Sequence, residues 1–307
     1  MRKLKCVDDG DHAFINKVID STRKRNADDG VPENQTYKAR CKTIVTSHEE
    51  YIKKYDEAFK NNKLEALENT HPNLNAVTKE DLKELYSFSR KDIAQLRRKV
   101  LTEEGYENNF CPLCEINLVN TMDHFIPQTG YPLFAIHPRN LIPSCSLCNG
   151  HKSDTITDKT GKRKFWNVYL DTPPEEQYLF GDVIEREGLP WVKFRIEQGK
   201  IDDETFRLIQ NTMDNNTGQK MFSVYEQVEG KYICELKNHC VKLIKRSCDS
   251  SSFEECIKNI KNDIIVNFTL NSCEDVIKLA LIDSPIFLRC VERELQEQKV
   301  PYKKDEK

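Results

Sequence analysis

The sequence lacks any apolar run close to the ~18 residues that a membrane-spanning helix needs. Its first residues contain no apolar segment of the kind that forms a secretory signal peptide, and it has no internal repeats or low-complexity tracts. These absences predict a cytoplasmic protein without a membrane partner. Positive charge is not in excess either, because 32% of the residues are charged but the formal net charge is −3. Affinity for a polyanion must therefore come from a local patch.

Cysteine, in contrast, is abundant, with 12 residues in a chain of 307. In a reducing compartment, paired cysteines hold metal more often than they form disulfides. Two Cys-x-x-Cys pairs lie 30 residues apart, and each can offer two thiolates from a tight turn. The four sulfurs predict a structural zinc site, with free thiols or an iron–sulfur cluster as alternatives. The four cysteines are Cys111, Cys114, Cys145 and Cys148.

The other eight cysteines do not have this spacing. Those in predicted helices are expected to be small, buried, apolar residues, because a free thiol packs well in a core. The cysteines concerned are Cys234, Cys240, Cys256, Cys273 and Cys290.

Polar residues that could take part in catalysis or metal binding lie between and just after the two cysteine pairs. Asp123 is a hard oxygen donor, which suits Mg²⁺ or Mn²⁺. His124 follows it directly, and a histidine can act as a general base because its pKa lies near neutrality. Asn140, Asn149 and Lys152 complete the series. Neighbouring residues on a strand point to opposite faces, so a twist at the strand end or a bulge must let Asp123 and His124 serve one site.

Residues 111–154 together resemble the HNH (ββα-metal) nucleases in which a four-cysteine zinc site clamps the fold. The resemblance implies that His124 is the general base and that Asp123 and Asn149 bind Mg²⁺ or Mn²⁺. It implies that Asn140 orients the imidazole by a hydrogen bond and that Lys152 contacts phosphate. The competing interpretations are a buried histidine that holds the loop and a loop asparagine that caps the second strand.

Three further residues near the end of this segment are weaker candidates. Ser153 lies one helical turn after Asn149, where some related nucleases have another metal ligand. His151 is two residues from Asn149 and should face away from it, so it is kept as a possible substrate contact. His137 lies in the loop between the strands, where an exposed position is expected.

The pattern of apolar residues predicts an α+β fold that is mostly helical. We expect an N-terminal helical region at 1–105, a zinc-stabilised ββα-metal core at 106–165 and a C-terminal β-hairpin with helices at 166–307. Within the core, the predicted strands are 118–126 and 141–144, followed by a helix from Cys148 or Asn149 to about residue 158. Thr78 and Ser89 are the predicted caps of two N-terminal helices. The C-terminal helices are predicted at 203–214, 219–247, 253–267 and 273–296.

Two basic segments flank the core and are candidates for binding nucleic acid. Between residues 139 and 164 there are six Lys or Arg against two Asp, which is the local patch that the whole chain lacks. An ordinary solvated helix face is the alternative for the segment before the first cysteine pair. The predicted phosphate contacts are Arg97, Arg98, Lys162, Arg163 and Lys164.

The sequence therefore favours a metal-dependent HNH endonuclease that acts on nucleic acid, with DNA the expected substrate. By analogy with bacterial proteins that the chain resembles, a role in anti-phage defence is expected. One alternative is a nuclease subunit of a defence complex that is active only with a partner ATPase or sensor. Another is a zinc module that binds nucleic acid without cutting it, although such a module would not need the Asp, His and Asn set.

Overall fold

A computed structural model describes residues 1–7, 11–23, 25, 28–68, 74–152, 154–213 and 220–303, without the side chains of residues 11, 151 and 220. The chain forms two compact units, Met1–Pro173 and Pro174–Lys307. The described part is mostly helical, with small two-stranded hairpins, so the predicted α+β class is confirmed. The division into regions at residues 105 and 165 stays a prediction.

Five helices precede the cysteine pairs in the first unit. Two of the predicted caps are wrong. The fourth helix begins at Ala76 because the side chain of Asn75 accepts a hydrogen bond from the backbone N–H of Thr78, which is therefore inside the helix. The fifth helix begins after Arg90 without a side-chain cap, while Ser89 bonds to Ser87 instead. These helices are α1 (Asp11–Asp20), α2 (Tyr37–Ser47), α3 (Glu49–Lys60), α4 (Ala76–Lys83) and α5 (Lys91–Leu101).

The centre of the first unit is a hairpin followed by a short helix. After the small hairpin β1 (Thr102–Glu103) and β2 (Tyr106–Glu107), strands β3 (Thr121–His124) and β4 (Leu141–Ser144) pair antiparallel, and helix α6 (Ser146–His151) follows directly. Strand β3 is shorter than predicted at both ends, because Leu118 forms only an isolated bridge with Phe110 and the chain bends at Phe125 and Ile126. The predicted strand–loop–strand–helix order is present.

Helix α6 differs from the prediction at both ends. It begins at Ser146, because the Sγ atom of Cys145 accepts a hydrogen bond from the N–H of Cys148 at 3.4 Å and caps the helix. It ends at His151, because Lys152 adopts an extended backbone conformation. Ser153, the candidate at the next turn, lies outside the described residues, as does the side chain of His151.

The second unit is a β-hairpin packed with helices. Strands β5 (Leu179–Arg186) and β6 (Leu189–Ile196) pair in regular register, and the helix Cys273–Ile282 packs against β5. Gly181 is required there, because a Cβ atom at this position would lie 2.6 Å from Cγ1 of Val192. The helices are α7 (Asp203–Met213), α8 (Lys220–Ser247), α9 (Phe253–Val266), α10 (Cys273–Ile282) and α11 (Pro285–Glu297).

Two predictions for the second unit need correction. The helix expected at 273–296 is two helices, because Pro285 cannot continue a helix and Ser284 caps a new one. Cys240, Cys256 and Cys273 are buried as expected, but Cys234 is exposed on α8. Among the described residues, no helix is both long and apolar enough to cross a membrane.

Candidate metal centre and active site

The two cysteine pairs meet in one buried cluster. The four Sγ atoms of Cys111, Cys114, Cys145 and Cys148 all lie within 4.8 Å of one another, and those of Cys114 and Cys145 are 3.9 Å apart. Tetrahedral zinc with Zn–S bonds of ~2.3 Å requires S···S distances of roughly 3.8 Å. The cluster could therefore hold a structural Zn²⁺. Among the described residues, no other group of three or more His, Cys, Asp or Glu is arranged in this way.

Backbone turns form both halves of the cluster. At the first pair, the N–H of Glu115 bonds to the carbonyl of Cys111 at 2.8 Å, and Glu115 has the left-handed φ of 59° that closes such a turn. At the second, the start of α6 places Cys145 and Cys148 on one turn. A hydrogen bond from Cys114 holds the pKa of the Cys111 thiol below its ordinary value. The pKa values of Cys114 and Cys148 are raised in turn, because hydrogen bonds with Cys111 and the other thiols share the protons among the four sulfurs.

His124 lies at the end of β3 with its imidazole largely buried. Its Nε2 atom is 2.8 Å from the carbonyl oxygen of Ala135. A carbonyl only accepts hydrogen bonds, so Nε2 carries the proton in the neutral ring and Nδ1 keeps a free lone pair. The ring of Tyr86 meets the imidazole edge-on, with 4.6 Å between centroids. Nδ1 is therefore the basic nitrogen of the ring, and contacts with Ala135 and Tyr86 hold the ring in place.

Burial lowers the pKa of His124 to about 4, while the Ala135 carbonyl and the charge of Asp123 oppose this shift. The unfolded chain, with a His pKa of about 6.5, binds a proton between pH ~4 and ~6.5 that the folded chain does not bind. Folding stability should therefore fall by up to about 3 kcal/mol as the pH falls through this window.

Chemical denaturation of the wild type and of His124→Gln at pH 7 and pH 4.5 measures this dependence. Glutamine can still donate to Ala135 but does not titrate, so the variant should lose less stability on acidification. Equal losses in both proteins would assign the acid sensitivity to other groups.

Asp123 and helix α6 face each other. Nζ of Lys152 is 3.1 Å from the Asp123 carboxylate and also bonds to the backbone carbonyl of His124. Nδ2 of Asn149 lies 3.4 Å from Oγ1 of Thr121, which leaves Oδ1 of Asn149 unused by that bond. Thr121 and Asp123 alternate onto the same strand face, so Asp123, Asn149 and Lys152 share one side of the hairpin.

The strand reaches this arrangement without a bulge. Pairing between β3 and β4 is regular through His124 and Leu141. Lys152 bridges the side chain of Asp123 and the carbonyl of His124 just where the strand ends. Regular pairing therefore excludes a bulge within β3, and Lys152 is the contact shared by the side chain of Asp123 and the backbone of His124.

Asn140 does not make the expected hydrogen bond to the imidazole. Its Oδ1 accepts from the N–H of Ile126 at 2.7 Å and from the hydroxyl of Tyr55 at 3.2 Å. Its Nδ2 donates to the carbonyls of Ile126 and Phe134, both at 3.0 Å. An amide has two donors and can accept two bonds, so this buried side chain is fully occupied. It fixes the loop that presents the Ala135 carbonyl to His124.

Several residues around the site gave no signal in the sequence. Tyr86 has the spacing of an ordinary apolar helix residue, yet its hydroxyl donates to the Met122 carbonyl at 3.0 Å and its ring contacts His124. His137 was expected to be exposed but is fully buried against the ring of Tyr55 and 3.4 Å from the Asp56 carboxylate.

The predicted phosphate contacts fall into different environments. Arg163 is buried and forms a two-pronged ion pair with Asp171 at 2.5 and 2.6 Å, so its assignment to nucleic-acid binding is wrong. Its neighbours remain candidates: Lys162 is exposed, and the ammonium of Lys164 lies 4.8 Å from the centre of the Phe165 ring.

On α5, Arg97 packs over the ring of Phe88 and donates to its carbonyl at 3.1 Å. Arg98 is exposed and forms an ion pair with Glu107. An exposed ion pair contributes little to stability and can be exchanged for a phosphate, so Arg98 stays a candidate contact.

The fold and cluster define a mostly helical α+β protein with a buried four-cysteine site. This chain is distantly homologous to protein ea31 of Escherichia phage lambda. The two share 25% identity over 231 residues, which are 69% of this chain and 75% of ea31. It is also similar to Septu protein PtuB of Bacillus thuringiensis, with 33% identity over 87 residues, which are 27% of this chain and 33% of PtuB. No family model and no solved structure matches.

Proposed function

We propose that this protein is a metal-dependent HNH endonuclease that hydrolyses phosphodiester bonds of nucleic acid, with DNA as the expected substrate. The proposal rests on one arrangement. Asp123 and His124 end one strand of a hairpin and lie beside a helix whose cap, Cys145, belongs to the four-thiol cluster. That is the order of elements that the HNH resemblance implies.

His124 would act as the general base in this reaction. Its Nδ1 atom can accept a proton from the attacking water, while Nε2–H stays bonded to Ala135. As the ring becomes charged, the Ala135 carbonyl and the Asp123 carboxylate stabilise the imidazolium. A bound phosphate adds negative charge nearby and raises the pKa of His124 towards the working pH.

The carboxylate of Asp123 and Oδ1 of Asn149 would hold Mg²⁺ or Mn²⁺. Both are oxygen donors on one side of the hairpin, and two protein ligands leave room for water and phosphate oxygens. When bound, the ion supplies positive charge at a phosphate oxygen and at the leaving oxygen. Lys152, held against Asp123, contributes a second positive charge beside that place.

The test is incubation of the purified protein with plasmid, linear duplex, single-stranded DNA and RNA, each with Mg²⁺, Mn²⁺ or EDTA. Cleavage that requires the divalent ion supports the proposal. Tight binding without cleavage of any substrate, with or without a partner, supports the non-cleaving module instead.

A second candidate is a nuclease subunit that needs a partner, such as an ATPase or sensor of an anti-phage system. The similarity to a Septu protein favours this setting. Under this alternative, the chain alone cleaves slowly and a partner accelerates it. Full activity of the chain alone would exclude the alternative.

The exposed basic residues next to the core should supply non-specific phosphate contacts. Lys162→Ala with Lys164→Ala should weaken binding several-fold and lower the slope of log affinity against log salt by about 1 to 2. Anisotropy of a labelled oligonucleotide over a salt series measures both, with exposed Lys200→Ala as control. An unchanged slope would make these lysines ordinary surface charges.

Arg163→Ala should behave differently from its neighbours. Removal of one partner of a buried ion pair leaves the Asp171 carboxylate without compensation, which typically costs 3–5 kcal/mol. Denaturant unfolding should therefore show a large loss of stability. A stable Arg163→Ala protein that binds nucleic acid poorly would restore the original assignment.

A further inference from the structure

A second polar site lies in the first unit, away from the cysteine cluster. It is a cavity of about 660 Å³ between the end of α1, the segment after it and the start of α5. Three hydroxyl side chains and Gln95 contribute to its wall. Its charged lining residues are Lys17, Arg23, Arg90, Lys91 and Asp92, which give a formal charge of 4 − 1 = +3.

The floor of this cavity is rigid. Nη2 of Arg90 donates to Oγ1 of Thr22 at 2.7 Å and to Oγ of Ser21 at 3.1 Å. Ser21 in turn donates to the buried carboxylate of Asp92 at 2.5 Å, and Lys17 lies 3.5 Å from the same carboxylate. Arg90 and Lys17 therefore share the Asp92 carboxylate as a counterion, and these contacts hold the wall of the cavity in place.

The charge of Arg90 is balanced inside the protein. Its Nε atom lies 3.9 Å from the Asp92 carboxylate, and its Nη2 atom also donates to the Val18 carbonyl. The positive charge that a ligand can reach therefore comes from the rim of the cavity. The rim residues Arg23 and Lys91 are exposed, and within the described part of the chain neither has an ion pair.

The lining also indicates the chemical class of the ligand. The volume of the cavity falls within the range of ~300–1,000 Å³ that is usual for ligand sites. No aromatic side chain lines the cavity, although proteins that hold nucleobases commonly stack them on aromatic rings. Arginine and lysine without an aromatic platform select phosphate oxygens.

The cavity lies close to the candidate base along the chain. Arg90 follows Tyr86 by four residues, and the Tyr86 ring contacts His124. Four residues span at most ~14 Å. A bond from the N–H of Arg90 to the Ser87 carbonyl at 3.1 Å shortens this span further.

We propose that this cavity binds a backbone phosphate of the strand that is cut, to one side of the scissile bond. The inference rests on the proposed function for the identity of the substrate, but binding can be tested without cleavage. The phosphates of a free nucleotide would be recognised by the same charged groups as a phosphate of the strand. The strand is favoured because the cavity offers a base no platform and lies near His124.

The test compares Arg23→Ala/Lys91→Ala with Lys60→Ala/Lys258→Ala, which removes two exposed charges from α3 and α9. The full, zinc-loaded chain binds a labelled oligonucleotide in Ca²⁺ without added Mg²⁺ or Mn²⁺. The cavity variant should bind 5- to 30-fold more weakly at about 100 mM salt, with a slope lower by about 1 to 2. The control should change less than about twofold. Equal zinc content and unfolding temperature establish that both variants are folded.

A position scan makes the test specific. Oligonucleotides with one neutral methylphosphonate linkage, moved along the strand, should weaken wild-type binding at one or two positions. The cavity variant should be insensitive at those positions, because its partner charge is already gone.

Equal binding by the two double variants overturns the inference, even if the protein cuts nucleic acid. A cavity variant that loses ATP binding but keeps strand binding overturns it in favour of a free nucleotide. If the protein gives the expected scan but never cuts nucleic acid, this inference is supported and the nuclease proposal fails.

Discussion

His124→Ala should abolish cleavage while Mn²⁺ still binds. General-base assistance typically contributes ~10²–10⁴ in rate, and the variant lacks the Nδ1 atom that would accept the proton. The metal ligands proposed here, Asp123 and Asn149, lie on the helix-facing side and do not depend on the imidazole. Single-turnover rates and Mn²⁺ titrations on the same proteins measure the two effects separately.

The matched variants should fail for a different reason. Asp123→Ala and Asn149→Ala should lose cleavage by losing the metal, and higher metal concentration should partly restore it. Asn140→Ala should be slower without a metal defect, because its amide holds the loop that carries the Ala135 carbonyl. His239→Ala, at an exposed histidine of α8, is the control. A His124→Ala protein within a few-fold of the wild-type rate would remove the residue from this role.

Cys145→Ser should unfold the centre of the first unit. Structural zinc contributes on the order of 10 kcal/mol to the folding of small modules, more than the total stability of many domains. Cys145 contributes twice, because its sulfur also caps α6. Metal analysis should find about one zinc per wild-type chain and none in the variant.

Circular dichroism and denaturant titration, with and without a strong zinc chelator, follow the structural consequence. Exposed Cys234→Ser is the control, since it removes a thiol without touching the cluster. A Cys145→Ser protein that stays folded and soluble without zinc would end the assignment of a structural metal.

The sequence was a good guide where local spacing determines structure. The four cysteines, strand Leu141–Ser144 and the hairpin of the second unit follow from periodicity and short motifs. It was a poor guide where a contact outside a local motif decides. No sequence pattern around Arg163 predicts its ion pair with Asp171. The partner of His124 is a backbone carbonyl, which carries no sequence signal.

Asn140 illustrates the same limit within a recognised motif. The sequence predicted a hydrogen bond from Asn140 to the imidazole, but its partners are Tyr55 of α3 and loop backbone groups. Which hydrogen bonds an asparagine makes depends on the fold around it and not on its neighbours in sequence. The motif therefore predicted which residues matter better than it predicted what each one touches.

The double use of Cys145 has an evolutionary consequence. One sulfur belongs to the four-thiol cluster and also starts the helix that carries Asn149 and ends just before Lys152. Because each residue of a helix turns the next by about 100°, an insertion between Cys148 and Lys152 would rotate the lysine away from Asp123. We therefore expect the segment from Cys145 to Lys152 to keep a fixed length in relatives that use these residues.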